Sequence, residues 1–183
     1  MTTIPTFHTE RLTFRAFREE DIVPMTAFYA DEATARFVGG IEPPDRVWRR
    51  VASYLGHWHL RGYGIWALEE RGDENAGRFA GYCGHWFPKG WPEREIAYGL
   101  MAYAQGRGLA TEAAEAALSH AYGQLGWTTA ISAVDVANVS SQRVAERIGA
   151  VREGEQRIGD FDAVIFRHRP PNGERGPNGG EAS

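Results

Sequence analysis

The run Gln105-Gly106-Arg107-Gly108-Leu109-Ala110-Thr111-Glu112 follows an alternating apolar stretch, Ile96, Tyr98 and Leu100, and opens a segment of helical periodicity. That order makes an anion site. The first turn of a helix presents backbone N–H groups without intrahelical acceptors at the positive end of the macrodipole, and phosphate oxygens satisfy them. Gly106 and Gly108 reach turn conformations closed to other residues and remove Cβ atoms that would hold a pyrophosphate at a distance. The candidate phosphate ligands are therefore the amides of Gln105, Gly106, Arg107, Gly108, Leu109, Ala110 and Thr111.

Three loop types share this logic. A Walker loop needs Gly-Lys-Ser/Thr after its last glycine, where this chain has Leu109-Ala110. A dinucleotide fingerprint needs Gly or Ala at Thr111 and an acidic residue roughly twenty positions on, and neither is present. Tight binding of NAD would revive that reading. The third pattern, Gln/Arg-x-x-Gly-x-Gly/Ala, fits Gln105 through Ala110 at every fixed position.

Two other groups invite chemistry and are discounted. Cys83 as a nucleophile implies ping-pong kinetics, but a single cysteine in an apolar strand reads as core. His57 and His59 are two residues apart and so point to different helix faces, with no acidic partner at suitable spacing, and no metal is expected.

The elements around the loop follow from periodicity. Leu12, Phe14 and Phe17 alternate as a strand, and the acidic residues of Arg18-Glu19-Glu20-Asp21 open a helix reaching Ala30 with Pro24 in its first turn. A short helical piece is read over Ala33 to Val38, then a helix capped by Asp45 with an apolar stripe Val47, Trp48, Val51, Tyr54, Leu55 and Trp58. Strands at Ile65 to Glu70 and Arg78 to Trp86 form a hairpin, and a Pro/Gly loop leads to the strand that feeds the anion loop. The helix after the loop ends at Gly126. A buried strand over Ala130 to Val136, a helix from Asn138 to Ile148 and a last strand over Ile158 to Phe166 complete the pattern. Strand, helix, strand in succession predicts a parallel pair joined by a right-handed crossover.

The totals set limits. A chain of 183 residues reads as one domain over 1–169, with 170–183 too poor in apolar side chains to join a core and read as a disordered tail. Net charge is −4 and no basic run forms a stripe, so nucleic acid is not an expected partner. One cysteine excludes an internal disulfide. Without a signal peptide or an apolar run near twenty residues, a cytoplasmic protein with no membrane partner is expected.

The loop resembles the acetyl-CoA pyrophosphate loop of the GNAT N-acetyltransferases, and more narrowly that of the RimJ/RimL-like (ribosomal-protein-alanine N-acetyltransferase-like) branch. Thr9 to Arg15 is similar to the opening strand of that branch, Arg94 to Leu100 to its fourth strand, and Asn138 through Gly149 to its second cofactor motif. The resemblance covers nearly all of residues 7–168. It implies an α/β fold with helices on both faces of a central mixed, mostly antiparallel sheet. That sheet has six to seven strands, and its parallel fourth and fifth strands splay apart. The implied activity is acetyl transfer from acetyl-CoA to a primary amine, either a protein N-terminal α-amine or a small-molecule amine, by direct attack in a ternary complex. The alternative is a non-catalytic acyl-CoA-binding or regulatory protein. A monomer or homodimer is expected.

Residue roles follow from the same resemblance. Leu100, Met101 and Ala102 would hold the pantetheine arm through main-chain groups. Asn138 would cap its helix or bond the pantetheine amide, and Ser141 would orient or protonate the leaving thiolate. Many relatives place a tyrosine where this chain has Ala145. An α-amine titrates near 8, so a modest base suffices. Glu95 is the candidate, against the plainer reading that it pairs with Arg94. Acceptor specificity is assigned to residues 30–64 and 84–93, with Trp86 and Trp91 as candidate pocket walls.

Overall fold

Alternation along one strand divides the core in two. In β3 (Ile65–Glu70) Trp66 and Leu68 join a cluster with Leu109, Ala113, Ala117 and Ala121, while Ile65 and Ala67 join a second with Met25, Phe28, Val47 and Val51. A strand buried on both faces sits between helical layers. The computed structural model describes residues 3–72 and 74–170. The expected tail at 170–183 lies, apart from Pro170, outside the described residues.

The other strands are β1 (Phe7–His8), β2 (Leu12–Arg15), β4 (Phe79–Trp86), β5 (Glu95–Leu100), β6 (Ala130–Asp135), β7 (Val151–Ile158) and β8 (Phe161–His168). They form one sheet in the order β1-β2-β3-β4-β5-β6-β8-β7, antiparallel throughout except for the β5–β6 pair. Helices α1 (Ile22–Ala30), α2 (Glu32–Ala35) and α3 (Pro44–Arg61) cover one face, and α4 (Leu109–Gly123) covers the other. Helix α5 (Val139–Arg147) packs Ala145 on Val134, Val164 and Phe166. No helix among the described residues is long and apolar enough to cross a membrane.

Eight strands stand where six to seven were expected. The extra segments are the two-residue β1 and β7, an edge strand whose side chains from Val151 to Arg157 are largely exposed. An exposed edge needs no apolar alternation, so Val-Arg-Glu-Gly-Glu-Gln-Arg-Ile carries no strand signal. Helix α3 starts at Pro44 with Pro43 as its cap, and Asp45 instead pairs with Arg49 in the first turn. Proline at the first helical position lacks only an N–H that would have no partner there. Helix α4 stops at Gly123 rather than Gly126, which turns the chain at φ 63° so that the Trp127 N–H closes on the Ala121 carbonyl.

Two histidines make the fold acid-sensitive. His85 donates through Nε2 to Ala117 O (2.9 Å) and stacks on His120, and burial pushes its pKa down to about 3. His168 lies 2.9 Å from Ser132 Oγ, and burial and then the Arg167 charge push it down to about 4. Neither Nδ1 atom has a partner to stabilise a second proton. Below pH 6.5 the unfolded chain therefore binds protons that the fold refuses, and stability falls by roughly 1.4 kcal/mol per unit for each group. Glu95, whose pKa is raised, binds its proton in the fold first and offsets one of the two. Urea titrations should show a net loss of at least about 1 kcal/mol between pH 6.5 and 5, with His57 and His120, also held below the usual range by burial, adding to it. Equal stability at the two values would contradict this.

Candidate active site

The β5–β6 pairing registers only Glu95 opposite Ile131. The Ile131 N–H reaches Arg94 O (2.9 Å) and Ser132 Oγ donates to Ile96 O (3.1 Å), and beyond these contacts the parallel strands part. Main-chain groups alternate sides along a strand. Because the Met101 N–H is given to Ala80 O (2.9 Å) on β4, those of Tyr98 and Leu100 face the gap. The Leu100 carbonyl already accepts from Gln105 Nε2 (3.0 Å). Of the three residues expected to hold a cofactor arm, Leu100 therefore lines the gap. Met101 is committed to β4, and Ala102 is an exposed residue opening the short turn Ala102–Ala104.

At the end of β5 the chain turns through Gly106 (φ 72°) and Gly108 (φ 80°) into α4. These left-handed conformations strain any residue with a Cβ, and that is why glycine stands here. Space is not the reason, because a Cβ on Gly106 would meet nothing within 4 Å. The first helical bond closes from the Glu112 N–H to Gly108 O (3.2 Å), so the amides of Leu109, Ala110 and Thr111 have no helical acceptor. The Gln105 amide is committed to Ala102 O (3.3 Å), and this residue contributes through its side chain instead.

A clamp that sequence reasoning missed holds the loop. Glu112 accepts from Thr9 Oγ1 (2.6 Å), the Arg11 N–H (2.8 Å) and Arg11 Nε (2.7 Å). Burial pulls its carboxyl upward, but these bonds and the Arg11 charge together hold it below the usual range. Arg11 Nη1 donates to the Arg107 carbonyl (2.7 Å), and the Arg107 guanidinium pairs with buried Glu70 (2.7 Å). Arg107 thus faces the protein. The cations of the groove are Arg143 and Arg147, with Arg147 Nη1 at 3.4 Å from Thr111 Oγ1. Their four-residue spacing, which aligns them on one helix face, was the signal available in the sequence.

The loop, Tyr98, Leu100, Asn138, Ser141 and the two arginines line a groove of about 480 Å3. A second cavity of about 710 Å3 lies against it and shares Phe37, Val38, Tyr98, Asn138 and Ser141. Asn138 is the cap of α5, its Oδ1 accepting from the Ser141 N–H (3.1 Å), and Tyr98 donates across the gap to Ser141 O (3.2 Å). Glu95 lines the second cavity at 6% exposure, together with Trp86 and Trp91 as expected. Its carboxyl accepts from Trp91 Nε1 (2.7 Å) and the Ala133 N–H (3.2 Å). Burial outweighs both bonds and pushes it up to about 8. Arg94 is not its partner, and stacks on Trp127 instead (5.2 Å).

Cys83 is buried and burial pushes its thiol up, away from thiolate character. Both His57 nitrogens are engaged, with Tyr63 O (2.7 Å) and the Phe87 N–H (3.1 Å). No cluster of metal-ligating side chains occurs among the described residues.

Known proteins share this fold. The acetyltransferase (GNAT) domain family matches residues 11–151. An acetyltransferase from Agrobacterium tumefaciens str. C58 is 31% identical and superposes with a TM-score of 0.83, covering 92% of this chain and 96% of its own. The ribosomal-protein-S5-alanine acetyltransferase from Vibrio fischeri is 16% identical with a TM-score of 0.73, covering 94% and 100%. The ribosomal L7/L12 alpha-N-protein acetyltransferase RimL, solved in complex with coenzyme A, is 17% identical with a TM-score of 0.72, covering 90% and 98%. The last two likenesses show the fold.

Proposed function

Because the chain belongs to the GNAT acetyltransferase family, whose acyl donor is acetyl-CoA, we propose that it acetylates a primary amine by direct attack in a ternary complex. The donor supplies an activated acetyl thioester. The groove fits it: amides without helical acceptors and two arginines suit phosphates, and the gap-facing edge of β5 suits an extended amide-bearing arm. Leu109, Ala110 and Thr111 would hold the pyrophosphate, joined by Gly106 and Gly108, while Tyr98 and Leu100 would hold the arm. An N–H of that edge aimed at the acyl oxygen is worth roughly 3 kcal/mol to the transition state.

One observation carries the reading: a buried carboxyl with pKa about 8 lines the cavity that meets the groove at Ser141. Glu95 takes the amine proton on Oε1 or Oε2, directly or through water, and its pKa matches that of an α-amine near 8. Ser141, reached from both cavities, orients or protonates the departing sulfur. The test is thiol release from acetyl-CoA with a panel of amines and peptides, with products weighed by mass spectrometry. An amine heavier by one acetyl group is expected, with Ser141→Ala slower at unchanged coenzyme A affinity. Absence of both thiol release and coenzyme A binding would end the proposal.

A further inference from the structure

The acceptor cavity is divided by charge. Its acidic groups lie on the β6 side: Glu95, bonded to Ala133 and neutral below about pH 8, Asp135 at the end of β6, and Asp160 in the turn between β7 and β8. Its cations lie opposite, Arg36 after α2 and Arg50 on α3. Glu42 engages the Nε and Nη2 atoms of Arg50 and the Tyr54 phenol takes one more donor, so two of its five N–H groups are left. Beside Arg50 stand the phenols of Tyr54 and Tyr82, whose rings are 5.7 Å apart, and that of Tyr29, over which the guanidinium stacks at 4.7 Å. The Tyr29 hydroxyl is buried against those of Tyr54 and Tyr82, behind the cavity wall. A guanidinium with spare donors among phenols is an anion-recognising wall.

Resting on the acetyl-transfer reading, we infer that the acceptor is a zwitterion, an amino acid with an apolar or aromatic side chain. Its amine lies toward Glu95 and its carboxylate toward Arg50 and Arg36. A cation alone would leave the spare donors of the arginine wall unused, and an anion alone would face the carboxylates of Asp135 and Asp160. A zwitterion meets both. The aromatic walls, Trp86, Trp91 and Phe161 among them, take the side chain.

The experiment compares L-phenylalanine, L-phenylalaninamide and phenethylamine, which share a ring and an amine and differ in the carboxylate. In the wild type kcat/KM for phenylalanine should exceed both others by about tenfold or more, the worth of one charge-assisted bond in a dry site. The double variant Glu42→Gln/Arg50→Gln removes the pair without stranding a buried charge and should bring the ratio near one. The exposed Arg36→Gln should lower the ratio severalfold. Coenzyme A affinity, read by calorimetry, checks that each variant is folded. Equal or better turnover of the amide or the plain amine overturns the inference while leaving acetyl transfer intact. Should no amine turn over, calorimetric titration of the coenzyme A-loaded protein decides. Binding of phenylalanine but not of its amide supports the charge rule and defeats the transferase, and the reverse order defeats both.

Discussion

Replacing Glu95 by glutamine should lower kcat by roughly 10²–10⁴-fold, the span a positioned general base contributes, while coenzyme A affinity stays unchanged. The affinity should hold because Glu95 lines the acceptor cavity and not the cofactor groove. The sign of the pH dependence follows from its environment. Only the ionised carboxylate accepts a proton, and burial holds Glu95 protonated up to about pH 8. Wild-type kcat should therefore rise with unit slope to about pH 8 and then level, with pH 7 giving roughly a tenth of the plateau. In kcat/KM the free amine adds its own deprotonation, so Glu95→Gln should lose one unit of slope and keep the other.

Stability reports on the same proton independently. A carboxyl whose folded pKa is raised stabilises the fold below its unfolded value, and that contribution is lost as pH rises through about 8. The wild type should lose about 1 kcal/mol between pH 7 and 9 by urea titration, and the glutamine variant should lose less. A carboxyl that served only to anchor β5 to β6 would show the stability effect without the rate effect. That outcome would favour the non-catalytic acyl-CoA-binding reading.

The second large effect belongs to the loop. Gly108→Val should weaken coenzyme A binding by at least about a hundredfold, through loss of one or two charge-assisted phosphate bonds at about 1.5–3 kcal/mol each. A Cβ there would meet only Arg11 Nη2 at 3.4 Å, an ordinary contact, so the penalty is conformational. Relaxing φ away from 80° swings the amides of Leu109 to Thr111 off their aim. Gly126→Val is the matched control, with φ 63° and nothing within 4 Å of the added Cβ. Both should cost the fold about 1–2 kcal/mol, and only the first should change coenzyme A affinity. A similar loss of affinity in the control would show that general destabilisation, and not loop geometry, governs binding.

What the sequence made legible was local. The Gly106/Gly108 turn and the first turn of α4 were readable because helix-end amides and left-handed glycines depend on neighbours in the chain. The parallel β5–β6 pair was readable because a helical crossover dictates it. The commitment of the Met101 amide to Ala80 was not, since it depends on the register of β4 against β5, set by residues some twenty positions away. The same holds for the Arg11–Glu112 clamp, which joins residues 101 positions apart. Glu95 was singled out, but its Trp91 and Ala133 partners and the burial that tunes it required the folded chain. Strand β7 was lost because an edge in water has no periodicity to read.

The central claim is that backbone amides at the end of β5 and the start of α4 receive the donor's phosphates and arm. Backbone ¹⁵N–¹H spectra recorded during titration with coenzyme A test it residue by residue. The amides of Gly106, Gly108, Leu109, Ala110, Thr111, Tyr98 and Leu100 should shift and exchange more slowly, with those of Gln105 and Met101 far less affected. If those seven signals stay in place while coenzyme A binds, with the shifts gathered elsewhere on the protein, the account is wrong.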